Sequence, residues 1–216
     1  MKRILLASAS CLMFVLTALF SESAQAQDQP WLGLVPVVEH TEGELAGMTT
    51  YRLYLYTLGE NDFLVSCSGD DANPLYLSST SEPAWFQHAL ATTSLATDVN
   101  PAFFEAFPEF AFDSWLTIGI DAAPVSGDGT ADVTLAEAAG DTWTSDFEAG
   151  QNLEINSFFG GSWFTTNLVS NGLAGDDQKV LVAQLTTDGT LTGQLYVQVF
   201  PLGVGEDAEY LTLSFG

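Results

Sequence analysis

The chain has 216 residues, 47% of them hydrophobic and 12% aromatic, with 28 acids against 4 bases and a formal net charge of −24. The apolar content excludes a disordered polyelectrolyte, because a chain this rich in core residues buries enough surface to fold. The charge excludes nucleic acid and anionic membrane surfaces as partners.

The first 26 residues read as an export signal. Met1-Lys2-Arg3 is a positive start, Ile4 to Phe20 an apolar run, and Ala24-Gln25-Ala26 a small-residue cleavage site. The apolar run is short for a bilayer span and is followed by that site, so no integral membrane segment is expected after cleavage. The expected location is therefore secreted, extracellular or periplasmic. Cleavage takes two of the 4 bases and one of the 28 acids, leaving 2 and 27, and the bases that stay are Arg52 and Lys179. Residues 27–216 suit a single domain, with room for two lobes. Cys67 then stands alone and no intramolecular disulfide can form. It shares a strand face with Phe63 and Val65, the position of a buried thiol.

In chain order the periodicity is β. Thr50 to Leu58 alternates, with Tyr51, Leu53, Leu55 and Thr57 on one face and Arg52, Tyr54, Tyr56 and Leu58 on the other. Gly59-Glu60-Asn61-Asp62 is turn-like, which predicts a hairpin over 50–68. Gly69 to Pro74 is a loop, and Leu75 to Ser79 a short strand. Asn100 before Pro101 predicts a one- or two-turn helix at Pro101–Phe107, because Asn caps and Pro suits the first turn. Trp115 to Ile120 returns to strand. Residues 122–150, rich in Gly, Ala and Asp, predict a long loop or flap. Val180–Thr187 and Leu191–Phe200 flank Asp188-Gly189, the dipeptide of a tight hairpin turn, and are expected to pair with each other. Tyr210 to Phe215 is a last strand, with Leu211, Leu213 and Phe215 on its apolar face. The expected fold is all-β, an antiparallel β-sandwich of jelly-roll type.

Constellations that carry chemistry are scarce. His40 and His88 lie far apart, and neither an H-E-x-x-H helix nor a cysteine pair exists to hold zinc. The G-x-S-x-G elbow of a serine hydrolase is absent. A polysaccharide hydrolase needs only two carboxylates across a cleft and stays open as an alternative. Gly127-Asp128-Gly129-Thr130-Ala131-Asp132 has the oxygens and glycines of a calcium loop without its third spaced acid or closing glutamate. Asp128 and Asp132 are accordingly the candidate ligands of a structural calcium ion, and no other cofactor is expected. Sugar binding uses exposed aromatic faces. Of the five tryptophans, Trp85 and Trp143 lie in loop-like sequence and are the candidate ligand-binding rings.

Several stretches occur together and in order: Thr50-Tyr51-Arg52-Leu53-Tyr54, Asn73-Pro74-Leu75, Asn100-Pro101-Ala102, Phe112-Asp113-Ser114-Trp115-Leu116-Thr117-Ile118-Gly119 and Gly161-Ser162-Trp163-Phe164. Over about residues 45–215 they resemble an uncharacterised extracellular module of secreted surface proteins from marine bacteria of the Bacteroidota type. The resemblance implies an extracellular setting and a non-enzymatic surface role, and it brings no catalytic residues with it. The expectation is a secreted acidic module that binds an extracellular glycan or protein, or assembles with copies of itself.

Overall fold

In the computed structural model, residues 28–91, 93–166 and 169–216 are described; the expected export signal lies outside them. The strands are β1 (Trp31–Glu39), β2 (Thr49–Tyr56), β3 (Phe63–Gly69), β4 (Leu75–Ser79), β5 (Trp115–Leu116), β6 (Thr134–Glu137), β7 (Leu153–Ile155), β8 (Gly161–Phe164), β9 (Lys179–Thr187), β10 (Leu191–Phe200) and β11 (Glu209–Phe215). They form two antiparallel sheets, and the protein is an all-β sandwich.

The first sheet runs β1-β2-β9-β5. Alternation along β2 sends Leu53 and Leu55 inward to complete burial and leaves Arg52, Tyr54 and Tyr56 on the outer face, as the sequence predicts. The second sheet is built around β10. One edge of β10 carries β11, and the other carries β3 and β4 laid end to end. Outside these lie β8 against β3 and β7 against β4, and β6 closes the edge on β8. Leu53, Leu55 and Val182 of the first sheet and Leu64, Leu77, Trp163, Leu195 and Val197 of the second fill the shared core. Each such side chain contributes about 1.5–3 kcal/mol by leaving water. Trp163 also crosses the core to donate its indole N–H to the carbonyl of Thr117 at 3.0 Å.

Two expected hairpins are instead crossovers between the sheets. β2 pairs with β1 and β9, while β3 pairs with β10 and β8. β9 pairs with β2 and β5, while β10 belongs to the other sheet. Asp188-Gly189 fails to make a hairpin turn for a local reason. Neither residue takes the positive φ that a type I′ turn demands. Asp188 accepts a hydrogen bond from the Ser81 hydroxyl, and a Cβ on Gly189 would lie 2.1 Å from Ser79 Oγ. The dipeptide is a seat for the 79–81 segment.

The β3 face also differs from expectation. The register shifts between Gln198 and Val199 of β10, so Cys67 faces Val197 and Leu64 faces Val199. Leu64 and Cys67 are therefore the core residues, Val65 is the extra residue of the bulge, and Phe63 packs outside against Phe200. Cys67 is fully buried, as expected, and burial pushes its thiol far above its ordinary range.

The predicted helix at 101–107 is a single 3-10 turn, Pro101–Phe103, in which Asn100 does accept from the Ala102 N–H at 3.0 Å. A second 3-10 turn follows at Pro108–Phe112. The one α-helix among the described residues, α1 (Trp143–Glu148), falls within 122–150, as does β6; the expected long loop is corrected to an edge strand and a helix. Trp143 and Phe147, four residues apart, bury one side of α1, and Glu137 of β6 accepts from the Thr144 N–H at its N-terminus.

Candidate functional site

The outer face of the first sheet is divided. Residues 86–91 and 93–113 fold back over one half, where Phe110 and Ala96 pack on Trp115 and Leu181. The other half is open and carries the residues that β2 turns outward. Trp31 of β1, Tyr56 of β2 and Lys179 of β9 are register partners in one row across three strands. Trp31 and Tyr56 stack with ring centroids 4.1 Å apart and planes within 5°. Their rings close over Gly33, where a Cβ would lie 2.5 Å from the Tyr56 ring and 2.8 Å from Trp31. Glycine there is what lets the edges of both stacked rings approach the strand backbone.

Tyr54 continues the strip, 6.2 Å from Tyr56, and forms a wall of a cleft of about 570 Å³. Arg52 and Lys179 both line this cleft. They are the only Lys or Arg residues among those described, so every strong cation of the folded chain converges on one place. Each is held twice. Arg52 pairs with Asp121 at 3.0 Å and lies 5.8 Å from the Trp115 ring centroid. Lys179 pairs with Asp177 at 3.4 Å and lies 5.1 Å from the Tyr54 ring. With Asp176 the cleft offers three carboxylates to two cations, close to balance on a strongly anionic protein.

The opposite wall is a strap fastened by Asn171. Its amide donates to the carbonyls of Ile118, at 2.9 Å, and Ala131, and its Oδ1 accepts from the Ala131 N–H. Gly119 permits this contact: it has φ +77°, and a Cβ would stand 1.6 Å from the Asn171 carbonyl oxygen. Thr130 and Ser170 add hydroxyls to the cleft lining. The arrangement combines flat apolar rings with fixed donors and acceptors.

The residues singled out from sequence lie elsewhere. Trp85 and Trp143 are 1% and 3% exposed, so the expectation that they present faces to a ligand is corrected: Trp85 packs on Phe147 and Trp143 on Trp163 in the core. Trp143 opens α1, and the Trp85 segment is tied by its backbone N–H groups to the carbonyls of Gly150 and Thr186. Trp31, at 38%, is the one tryptophan with an exposed face. Asp128 and Asp132 are both exposed. Asp128 caps its own turn, accepting from the Thr130 N–H at 2.8 Å and hydroxyl at 2.6 Å, and that hydroxyl first, then the amide, holds its carboxyl below the ordinary range. Among the described residues no group of three or more His, Cys, Asp or Glu side chains is gathered to hold a metal ion.

The Asp113-Ser114 pair is a latch. Asp113 accepts from the His88 N–H, Ser114 Oγ accepts from the Thr186 N–H, and the Gln184 amide donates to the Asp113 carbonyl at 2.9 Å. These bonds fasten the cover of residues 86–91 and 93–113 to β9. His88 stacks on Phe110 inside that cover, and His40 bonds Thr50 beside it.

Comparison with protein-family models, with curated proteins and with solved structures returned no match.

Proposed function

We propose that this is an exported, non-catalytic binding module that takes a neutral polysaccharide on the open half of its first sheet. One observation carries the reading. The only exposed tryptophan is stacked on a tyrosine in the same row as one of the two cations, and Tyr54, next to that tyrosine on the same face, walls the cleft that holds both. The apolar face of a sugar ring packs on such rings, while its hydroxyls, donors and acceptors at once, suit paired Arg–Asp and Lys–Asp groups. A polyanionic glycan is a worse fit, because it meets three cleft carboxylates and the field of the whole protein.

The edges of the sandwich favour binding over self-assembly. The β1 edge is interrupted by Pro36 and a bulge between Pro36 and Val38, β5, β6 and β7 are only two to four residues long, and β11 is the one longer edge, with Glu209 at its start. Short, bulged or proline-bearing edges resist strand addition. The carboxyl whose affinity for protons is raised to about 7, Asp113, is sealed beneath the cover of residues 86–91 and 93–113 and lies outside the cleft, which argues against a hydrolase.

Affinity electrophoresis through neutral glucans, mannans and xylans, with alginate and pectate as anionic arms, tests the reading. At least one neutral polymer is expected to retard the protein, and Trp31→Ala or Tyr56→Ala to weaken that retardation by about tenfold or more. Retardation by no neutral polymer, or retardation unchanged in both variants, overturns it.

A further inference from the structure

The two most exposed large apolar side chains of the described surface are consecutive: Phe158 at 76% and Phe159 at 84%. They meet edge to face, with centroids 5.1 Å apart, on the turn between β7 and β8. That turn is pinned. Ser157 donates its hydroxyl to Asp141, the Gly160 N–H returns to the Ser157 carbonyl at 3.0 Å, and Gly160, at φ +65°, sits so close to β3 that a Cβ would lie 2.1 Å from the Gly69 carbonyl oxygen. Two phenylalanines held in water on a fixed turn have no folding role that a polar pair would not fill better.

Beside them the second sheet is interrupted in both neighbouring rows, between β3 and β4 and between β7 and β8, and a cavity of about 400 Å³ opens there. Phe159, Asp70, Glu137, Ser68 and Ser162 line it, and no cation does. Asp70 is fixed by the Ala72 and Asn73 N–H groups on its Oδ1 and Glu137 by the N–H and hydroxyl of Thr144, which leaves both carboxylates held in place without a cation to neutralise them. Both cations of the described chain belong to the other sheet.

We propose that Phe158 and Phe159 anchor a basic polypeptide segment, one of whose lysine or arginine side chains enters the cavity between Phe159 and the carboxylates of Asp70 and Glu137. Charge complementarity selects this occupant. A chain of net charge −24 repels a second copy and any anionic bilayer, and draws a cationic partner from a distance. At contact, an aromatic ring flanked by carboxylates receives an ammonium or guanidinium better than any neutral group. The site is separate from the saccharide cleft and independent of it.

The test is fluorescence anisotropy of a labelled peptide alternating arginine and leucine, titrated with the whole protein at about 0.15 M salt, where general attraction is screened. A glutamate–leucine peptide and phosphatidylcholine vesicles form the other arms. The basic peptide alone is expected to bind. The F158A/F159A double variant is expected to weaken it by about tenfold or more, F159W to keep it, and S162K, which puts a cation into the cavity, to abolish it. Equal affinity in the double variant or in S162K assigns the binding to the general acidic field and overturns the proposal. So does failure of the basic peptide to bind, or vesicle binding that alone depends on the two phenylalanines.

Discussion

The Asp113 carboxylate takes the backbone N–H of His88 on Oδ1 at 2.6 Å, while its Oδ2 is buried with no protein partner. Burial raises its affinity for a proton to about pH 7, against the opposing pull of the His88 and Ser114 amides. The unfolded chain ionises this group near 3.8, so the folded state holds the proton over the interval between. Its contribution to stability is complete below the unfolded value and is lost as pH rises through the folded one, by up to about 4 kcal/mol. Urea midpoints of the wild type and of D113N are expected to diverge across pH 4 to 8, the wild type falling more steeply. Parallel curves would show that Asp113 is ionised in the fold.

Asp62 holds the end of the sandwich below β2. Its Oδ2 accepts from the Leu58 and Gly59 N–H groups and its Oδ1 from that of Leu202, a residue kept at φ +53°. Asp62→Ala strands three donors, two of them at the crossover from β2 to β3, and is expected to cost about 2–4 kcal/mol. Asp62→Asn keeps one acceptor oxygen and is expected to fall between the two. Chemical denaturation of the three proteins checks the order, and an alanine variant as stable as the asparagine one contradicts it.

Gly119 and Gly43 share φ +77°, yet a Cβ at position 43 meets nothing within 4 Å, whereas one at 119 collides with the Asn171 carbonyl. Gly43→Ala is therefore expected to cost only the left-handed conformation, about 1–2 kcal/mol. Gly119→Ala must also displace the strap that walls the cleft, and is expected to lose more stability than that along with saccharide retardation. Equal melting temperatures in the two variants would mean that the strap yields freely.

How much of this was legible beforehand depends on the range of the interaction. The two faces of β2 were readable because alternation is local: Leu53 and Leu55 go in, and Arg52, Tyr54 and Tyr56 go out. The N-cap at Asn100 was readable for the same reason. Strand partners were not, since a turn sequence such as Asp188-Gly189 specifies a bend, and only the side chains of Ser79 and Ser81, far earlier in the chain, decide what that bend joins. Trp85 and Trp143 sit in sequence without strand periodicity, which says nothing of what folds over them. The Trp143–Phe147 spacing did carry a helical signal, too short to stand out. The cleft was missed because Arg52 and Lys179 come from strands far apart in the chain. The clue available was scarcity: a chain left with two cations, one inside the tyrosine-bearing β2 and one at the start of its partner β9, has reason to place both with care.

The order of the strands has a consequence for how the chain acquires its structure. β2 pairs with β9 and β3 with β10, so the interior member of each sheet comes from residues 179–200, far along the chain from the strands it joins. Without it the earlier strands have the β1–β2 pair, the β3–β8–β6 ladder and the β4–β7 ladder, with nothing to unite them. Contacts of such long range must close large loops before they contribute stability, which makes folding slow.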